Sequence, residues 1–177
     1  MKKTAIIYAQ LAVAVLVLGC AASAWAETSS VSLRAGLNNN YQRYELAWVS
    51  PSVWTHRFSG NWGRLDLVGE MGAAYWHADG ARSPSSVWQL NAIPMLRWTL
   101  QDRFYLEVGS GPTLFSRTRF ADKTLSTALQ FGSHVGAGVM LSSASSLGVR
   151  LSHFSNANIK KPNPGLQVVQ LQYTYRY

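Results

Sequence analysis

Apolar and polar residues alternate with a period of two along most of this chain. Val31, Leu33, Ala35 and Leu37 interleave with Ser30, Ser32, Arg34 and Gly36. After an Asn38-Asn39-Asn40 turn, Tyr44, Leu46 and Trp48 interleave with Arg43, Glu45 and Ala47. Leu65, Leu67, Met71, Ala73 and Tyr75 are set against Arg64, Asp66, Glu70 and Trp76. Trp88, Leu90, Ala92, Leu96, Trp98 and Leu100 are set against Gln89, Asn91, Met95, Arg97 and Thr99. Phe104, Leu106 and Val108 oppose Tyr105 and Glu107, and Leu129 to Leu141 continues the pattern with Gln130, Gly132, His134, Gly136 and Gly138. Leu147 to Asn156 and Leu166 to Tyr177 complete it. Successive side chains on a strand point to opposite faces, so each segment predicts a strand with one apolar and one polar face. About eight strands of roughly ten residues predict an all-β chain, an eight-stranded antiparallel transmembrane β-barrel.

Alternation alone does not say which face is inside. A soluble barrel of the lipocalin or streptavidin kind buries the apolar face, whereas a membrane barrel turns it to lipid. Three features favour the membrane: Tyr173, Tyr175 and Tyr177 on one face up to the last residue, Trp and Tyr near strand ends, and small Gly and Ser on the other face. The interior would then hold Arg34, Arg43, Glu45, Asp66, Glu70, Arg97, Glu107, Gln130 and Arg150, charges of both signs that fill a narrow barrel rather than line a pore.

Composition adds a compartment. Lys2 and Lys3, the apolar run Ala12 to Leu18 and Ala24-Trp25-Ala26 read as a signal peptide over residues 1–26, with the mature domain spanning 27–177. Val17-Leu18-Gly19-Cys20 is the rival, a lipoprotein-like cleavage box. Cys20 is the only cysteine and falls in this leader, which removes disulfide and thiol chemistry from the mature chain. The net charge is +8, and the chain carries seven Trp and eight Tyr. The basic balance admits nucleic acid, peptidoglycan or an anionic membrane, and the aromatic content turns it towards the membrane.

The chemistry concentrates on the last hairpin. His153 and Ser155 share a strand face with Val149 and Leu151, the face expected to meet lipid. Polar side chains there are costly unless used. Residues two apart on a strand are about 7 Å apart, a gap an imidazole can cover, and a neutral imidazole is the usual base for a serine nucleophile. Gln167, on the neighbouring strand, is placed to hold the imidazole tautomer. The plain alternative is a polar barrel rim.

His153-Phe154-Ser155-Asn156-Ala157, followed by Lys160, Pro162-Asn163 and Gly165, resembles the lipid A 3-O-deacylases of Gram-negative outer membranes. The resemblance implies a Ser/His esterase of the outer membrane that removes the 3-position ester-linked acyl chain of lipid A. It implies His153 as base, Ser155 as nucleophile, and Asn156 and Asn163 as residues that shape the site and its oxyanion hole. The departure is Gln167, where the best-matching family pattern has a carboxylate; an amide carbonyl can orient imidazole but adds no charge to stabilise imidazolium.

On this reading Lys160 and Lys161 meet the phosphates and acidic sugars of lipopolysaccharide, and acyl chains lie along Val149, Leu151 and Val169. No cofactor or metal is expected, because His56, His77 and His134 lack ligand spacing and the acids are sparse. No nucleic-acid partner is expected, and a homodimer stays open. The rival functions are a non-enzymatic small barrel serving adhesion or membrane integrity, and another lipid enzyme, a phospholipase or acyltransferase.

Overall fold

The computed structural model describes residues 29–177, so the expected leader lies outside the described residues. Eight long strands close on themselves: β1 (Ser30–Asn38), β2 (Tyr41–Val49), β4 (Arg64–Ala78), β5 (Ser86–Leu100), β6 (Phe104–Phe115), β9 (Leu129–Met140), β10 (Ser145–Ser155) and β11 (Leu166–Arg176). Neighbours are antiparallel throughout, and pairing of β1 with β11 and of β2 with β4 leaves the ring no free edge. A short strand, β3 (Trp54–Arg57), pairs with the start of β4, and a separate hairpin joins β7 (Arg119–Phe120) to β8 (Lys123–Thr124). Among the described residues no helix is long and apolar enough to cross a membrane, but a closed barrel crosses with strands.

The structure decides which face is inside. On β10 Arg150 is 1% exposed while the flanking Val149 is 53% exposed. Leu33, Leu90, Leu106, Val135 and Leu171 likewise face outward around the ring. A soluble barrel would bury this row. Inside, Arg34 pairs with Glu45 and Glu70 at 2.9 Å each, and Arg150 with Glu70 and Glu107 at 2.7 Å each. The Arg34–Glu70 approach is a charge contact rather than an aligned hydrogen bond. Arg43 reaches Glu45 at 2.8 Å, and Arg97 reaches Glu107 at 2.9 Å. Glu45, Glu70 and Glu107 thus each meet two guanidinium groups, as a desolvated carboxylate requires.

The polar interior does not run the full length. Towards the end carrying the β10–β11 loop, Tyr41, Trp76, Phe115, Phe120, Leu125, Phe154 and Leu166 form a buried apolar cluster. The β7–β8 hairpin delivers Phe120 to this plug, turning through Ala121 and Asp122, both at positive φ as a two-residue hairpin turn demands. Trp76 meets Phe154 edge-on at 5.4 Å, and the Arg43 guanidinium lies 5.1 Å from the Phe154 ring centre. The plug gives the site strand a rigid inner backing.

Candidate active site

His153 and Ser155 project from the outer face of β10, each half-buried, while Ser152, Phe154 and Asn156 between and beyond them are buried. Phe154 is the anchor: locked into the plug, it forces both neighbours to the opposite face. Register sets Gln167 of β11 directly opposite His153, and Leu151 opposite Val169 one step towards the barrel middle.

The backbone around Gln167 fixes how close that pair is. β1 ends at Asn38, so the ladder there is completed by side chains. The Gln167 N–H donates to the Tyr41 hydroxyl at 3.0 Å, and the Gln167 carbonyl accepts from the Tyr41 hydroxyl at 3.1 Å and from Asn38 Nδ2 at 3.0 Å. These groups point away from β10. His153 and Gln167 are therefore a non-hydrogen-bonded antiparallel pair, the closer type, with Cα atoms about 4.5 Å apart.

The imidazole rests on Gly165. A Cβ there would lie 2.8 Å from His153 Cε1, and the residue sits at φ +64°, so glycine is required by space and by backbone alike. Among the described residues no side chain hydrogen-bonds either imidazole nitrogen of His153, and Ser155 and Gln167 are the polar side chains nearest it in register. The hydrogen-bonded Ser/His pair among the described residues is a different one. His134 Nδ1 lies 2.7 Å from Ser152 Oγ inside the barrel, where Gln170 Nε2 also donates to Ser152 at 2.5 Å. Both side chains are buried on the inner face, with the Phe154 ring edge-on to His134, so that pair faces away from lipid.

The two asparagines play unequal parts. Asn156 is buried and its Nδ2 donates inward, to the Lys160 carbonyl at 2.7 Å and the Leu125 carbonyl at 3.2 Å. Its backbone N–H donates to Asn163 Oδ1 at 3.1 Å, and its carbonyl accepts from the Ile159 N–H at 3.0 Å, closing a turn through Ala157 and Asn158 at positive φ. Asn156 is thus a clasp for the loop. Asn163 stays nearer the surface, with its Nδ2 donating to Asn158 Oδ1 at 3.3 Å. Lys160 and Lys161 are exposed on this loop.

Further residues hold the site that the alternation pattern did not single out. Tyr41 sets the Gln167 backbone, Lys123 Nζ donates to the Gly165 carbonyl at 3.2 Å, and Ser126 Oγ donates to the Pro162 carbonyl at 2.7 Å. β8 and the residues that follow it therefore brace the β10–β11 loop from one side. The site itself is a stretch of outer wall. A recess of about 620 Å³ opens at the opposite end of the barrel, among Arg57, Arg64, Arg97 and Arg176, remote from Ser155.

The arrangement offers a hydroxyl, an imidazole and an amide on an apolar surface, next to a braced polar loop. Comparison with known proteins gives this arrangement a family. The family model described as lipid A 3-O-deacylase (PagL) matches residues 42–176. The lipid A deacylase PagL of Bordetella bronchiseptica (strain RB50) is 55% identical over 92% of this chain and 92% of its own length. That of Pseudomonas aeruginosa (strain PAO1) is 31% identical over 86% of this chain and 87% of its own. A crystal structure of the outer membrane enzyme PagL superimposes with TM-score 0.73 at 29% identity, covering 82% of this chain and 98% of that one. The Yersinia pestis outer membrane protein Ail, at 9% identity and TM-score 0.52, covers 86% of this chain and 100% of its own, and shares the barrel fold alone. With its site on the outer wall of a closed barrel and its sequence matched nearly end to end, the chain belongs to the lipid A 3-O-deacylase (PagL) family.

Proposed function

We propose that this protein is an outer-membrane esterase that hydrolyses the 3-position ester-linked acyl chain of lipid A within lipopolysaccharide. Its family supports the substrate, and one observation carries the chemistry: His153, Ser155 and Gln167 form a polar group on a wall dominated by apolar side chains. Ser155 Oγ attacks the ester carbonyl as His153 takes its proton. The imidazolium returns that proton to the departing sugar oxygen, and a water activated by the same imidazole then releases the acyl chain from Ser155. The Gln167 carbonyl accepts from the second imidazole nitrogen and holds the tautomer. The oxyanion falls to donors of the β10–β11 loop. Asn163 suits this better than Asn156, whose amide protons are spent on the Leu125 and Lys160 carbonyls.

Exported barrels keep longer loops outside and short turns in the periplasm, which turns the β10–β11 loop to the outer leaflet, where lipopolysaccharide resides. The exposed Lys160 and Lys161 then lie at headgroup level, and Leu151, Val149 and Val169 line the descent of the acyl chains. Residues 1–26, read as an export signal, deliver the chain to that membrane. Every residue of the site comes from one chain, so the reading needs no second copy.

Mass spectrometry of lipid A from cells producing wild type, Ser155→Ala or His153→Ala tests this. Wild type is expected to remove one hydroxyacyl chain, and both variants to assemble as barrels yet leave lipid A intact. A gained acyl chain would make the protein an acyltransferase. Unchanged lipid A with assembled wild type would leave a barrel without this activity, and full activity of Ser155→Ala would end the serine mechanism.

A further inference from the structure

Two serines break the outer wall midway along neighbouring strands, β6 and β9. Midway along β1, β2, β4 and β5 the outward positions are apolar, with Ala35, Leu46, Met71 and Ala92 among them. On the other four strands register sets Ser110 of β6 opposite Ser133 of β9, Ser133 opposite His153, and His153 opposite Gln167. The polar row thus runs from the loop end of β11 and β10 to the middle of β9 and β6. One step towards the barrel middle, Val108, Val135, Leu151 and Val169 restore the lipid wall.

Ser110 and Ser133 have no part in the hydrolytic steps, yet both are exposed, and their hydroxyl oxygens lie 3.0 Å apart. A hydroxyl facing hydrocarbon without a partner is unfavourable, and valine would be favoured at either position on a wall that only met lipid. The mutual bond uses one of the two hydroxyl protons. The other has no acceptor among the described residues, and lone pairs remain on both oxygens. The pair therefore offers one donor and several acceptor sites to a group arriving from the lipid side.

We infer that Ser110 and Ser133 form a hydrogen-bonding ledge that seats a hydroxyl on the acyl chain being removed, so that the site selects chains hydroxylated near the ester. The inference rests on the esterase reading of Ser155. Ser155 lies one level nearer the loop than Ser133, so a chain descending from an ester at Ser155 passes the ledge. Strand spacing and rise put the Cα atoms of Ser155 and Ser133 about 8 Å apart. An attacked carbonyl carbon stands about 3 Å from the serine oxygen. The hydroxyl of a 3-hydroxyacyl chain is three bonds further on, each about 1.5 Å, and a hydrogen bond of about 2.8 Å completes the reach. A hydroxyl supplies both a donor and an acceptor, matching what the pair leaves free. An unhydroxylated chain leaves it unpaired.

The test compares two synthetic substrates in mixed micelles: a glucosamine 1-phosphate acylated at O3 with a 3-hydroxyacyl chain, and its counterpart with the same chain unhydroxylated. Purified full-length wild type, Ser133→Thr and the double variant Ser110→Val with Ser133→Val are assayed, with heat-dependent electrophoretic mobility confirming barrel assembly. Wild type is expected to prefer the hydroxylated substrate about tenfold in kcat/KM. Ser133→Thr, which keeps a hydroxyl, should retain that preference, and the double variant should lose it to within about twofold. Equal rates by wild type on both substrates, a preference that survives in the double variant, or a uniform loss on both substrates would overturn the ledge. Failure of wild type to cleave either substrate, or cleavage that persists in Ser155→Ala, would instead overturn the esterase reading itself.

Discussion

The proposed third member of the catalytic group is an amide where the family pattern has a carboxylate, and its register opposite His153 makes the consequence measurable. A glutamine carbonyl orients the imidazole, while a carboxylate would also stabilise the imidazolium. Gln167→Glu is expected to stay active and to raise kcat on purified lipopolysaccharide by about tenfold, equivalent to about 1.4 kcal/mol of barrier. Gln167→Ala should fall below wild type without losing activity altogether. Equal rates for Gln167→Ala and wild type would remove Gln167 from the group. Gly165 sets the floor under the same ring, since an added Cβ would meet His153 Cε1 at 2.8 Å and strain a backbone at φ +64°. Gly165→Ala should therefore displace the imidazole and lower kcat at least tenfold, a cost of about 1.4 kcal/mol, while the barrel still assembles. Wild-type kcat in that variant would show that the ring has another resting place.

At the scale of elements, the strands were legible because a period of two is a direct record of an inside and an outside. The assignment of Arg150 inward and Leu151 outward, and the shared face of His153 and Ser155, follow from that period and hold in the structure. What the period could not show is contact across distant sequence. Phe120 and Leu125 fill the barrel mouth only because the β7–β8 hairpin folds over it, and no alternation marks so short a hairpin. Alternation beyond Val108 is blurred by Gly109, Gly111 and Pro112, which hid Ser110 as an outward residue of β6. Nor could it show that β1 stops one residue short of supporting Gln167, leaving the Tyr41 hydroxyl to complete the ladder across 126 positions of sequence. Tyr41→Phe leaves a backbone N–H without its acceptor beside the site. It should cost about 1–3 kcal/mol in stability and lower activity, read as an earlier loss of heat-resistant mobility together with reduced lipid A turnover. An unchanged melting behaviour and rate would mean the Gln167 backbone is held by Asn38 alone.

For the whole molecule, polarity is turned inside out: paired charges form the interior and aliphatic rows the exterior. Removing one member of the Arg34–Glu45–Glu70–Arg150–Glu107 network would strand a buried charge, at a cost of about 3–5 kcal/mol. The interior therefore serves rigidity, and the apolar plug stiffens the end that bears the site. With Ser155, the proposed nucleophile, on the outer wall rather than in a recess, the enzyme is expected to meet its substrate by lateral diffusion in two dimensions. Its velocity should follow the mole fraction of lipopolysaccharide in the surface around it, and not the amount per litre. Adding inert detergent at fixed enzyme and fixed total lipopolysaccharide should therefore slow hydrolysis in proportion to surface dilution. A rate indifferent to that dilution would mean that the substrate reaches Ser155 from bulk water. If the rate does follow dilution, the density of lipopolysaccharide in the leaflet is itself a control on turnover, and crowding or thinning of that leaflet would tune the enzyme without any change in the protein.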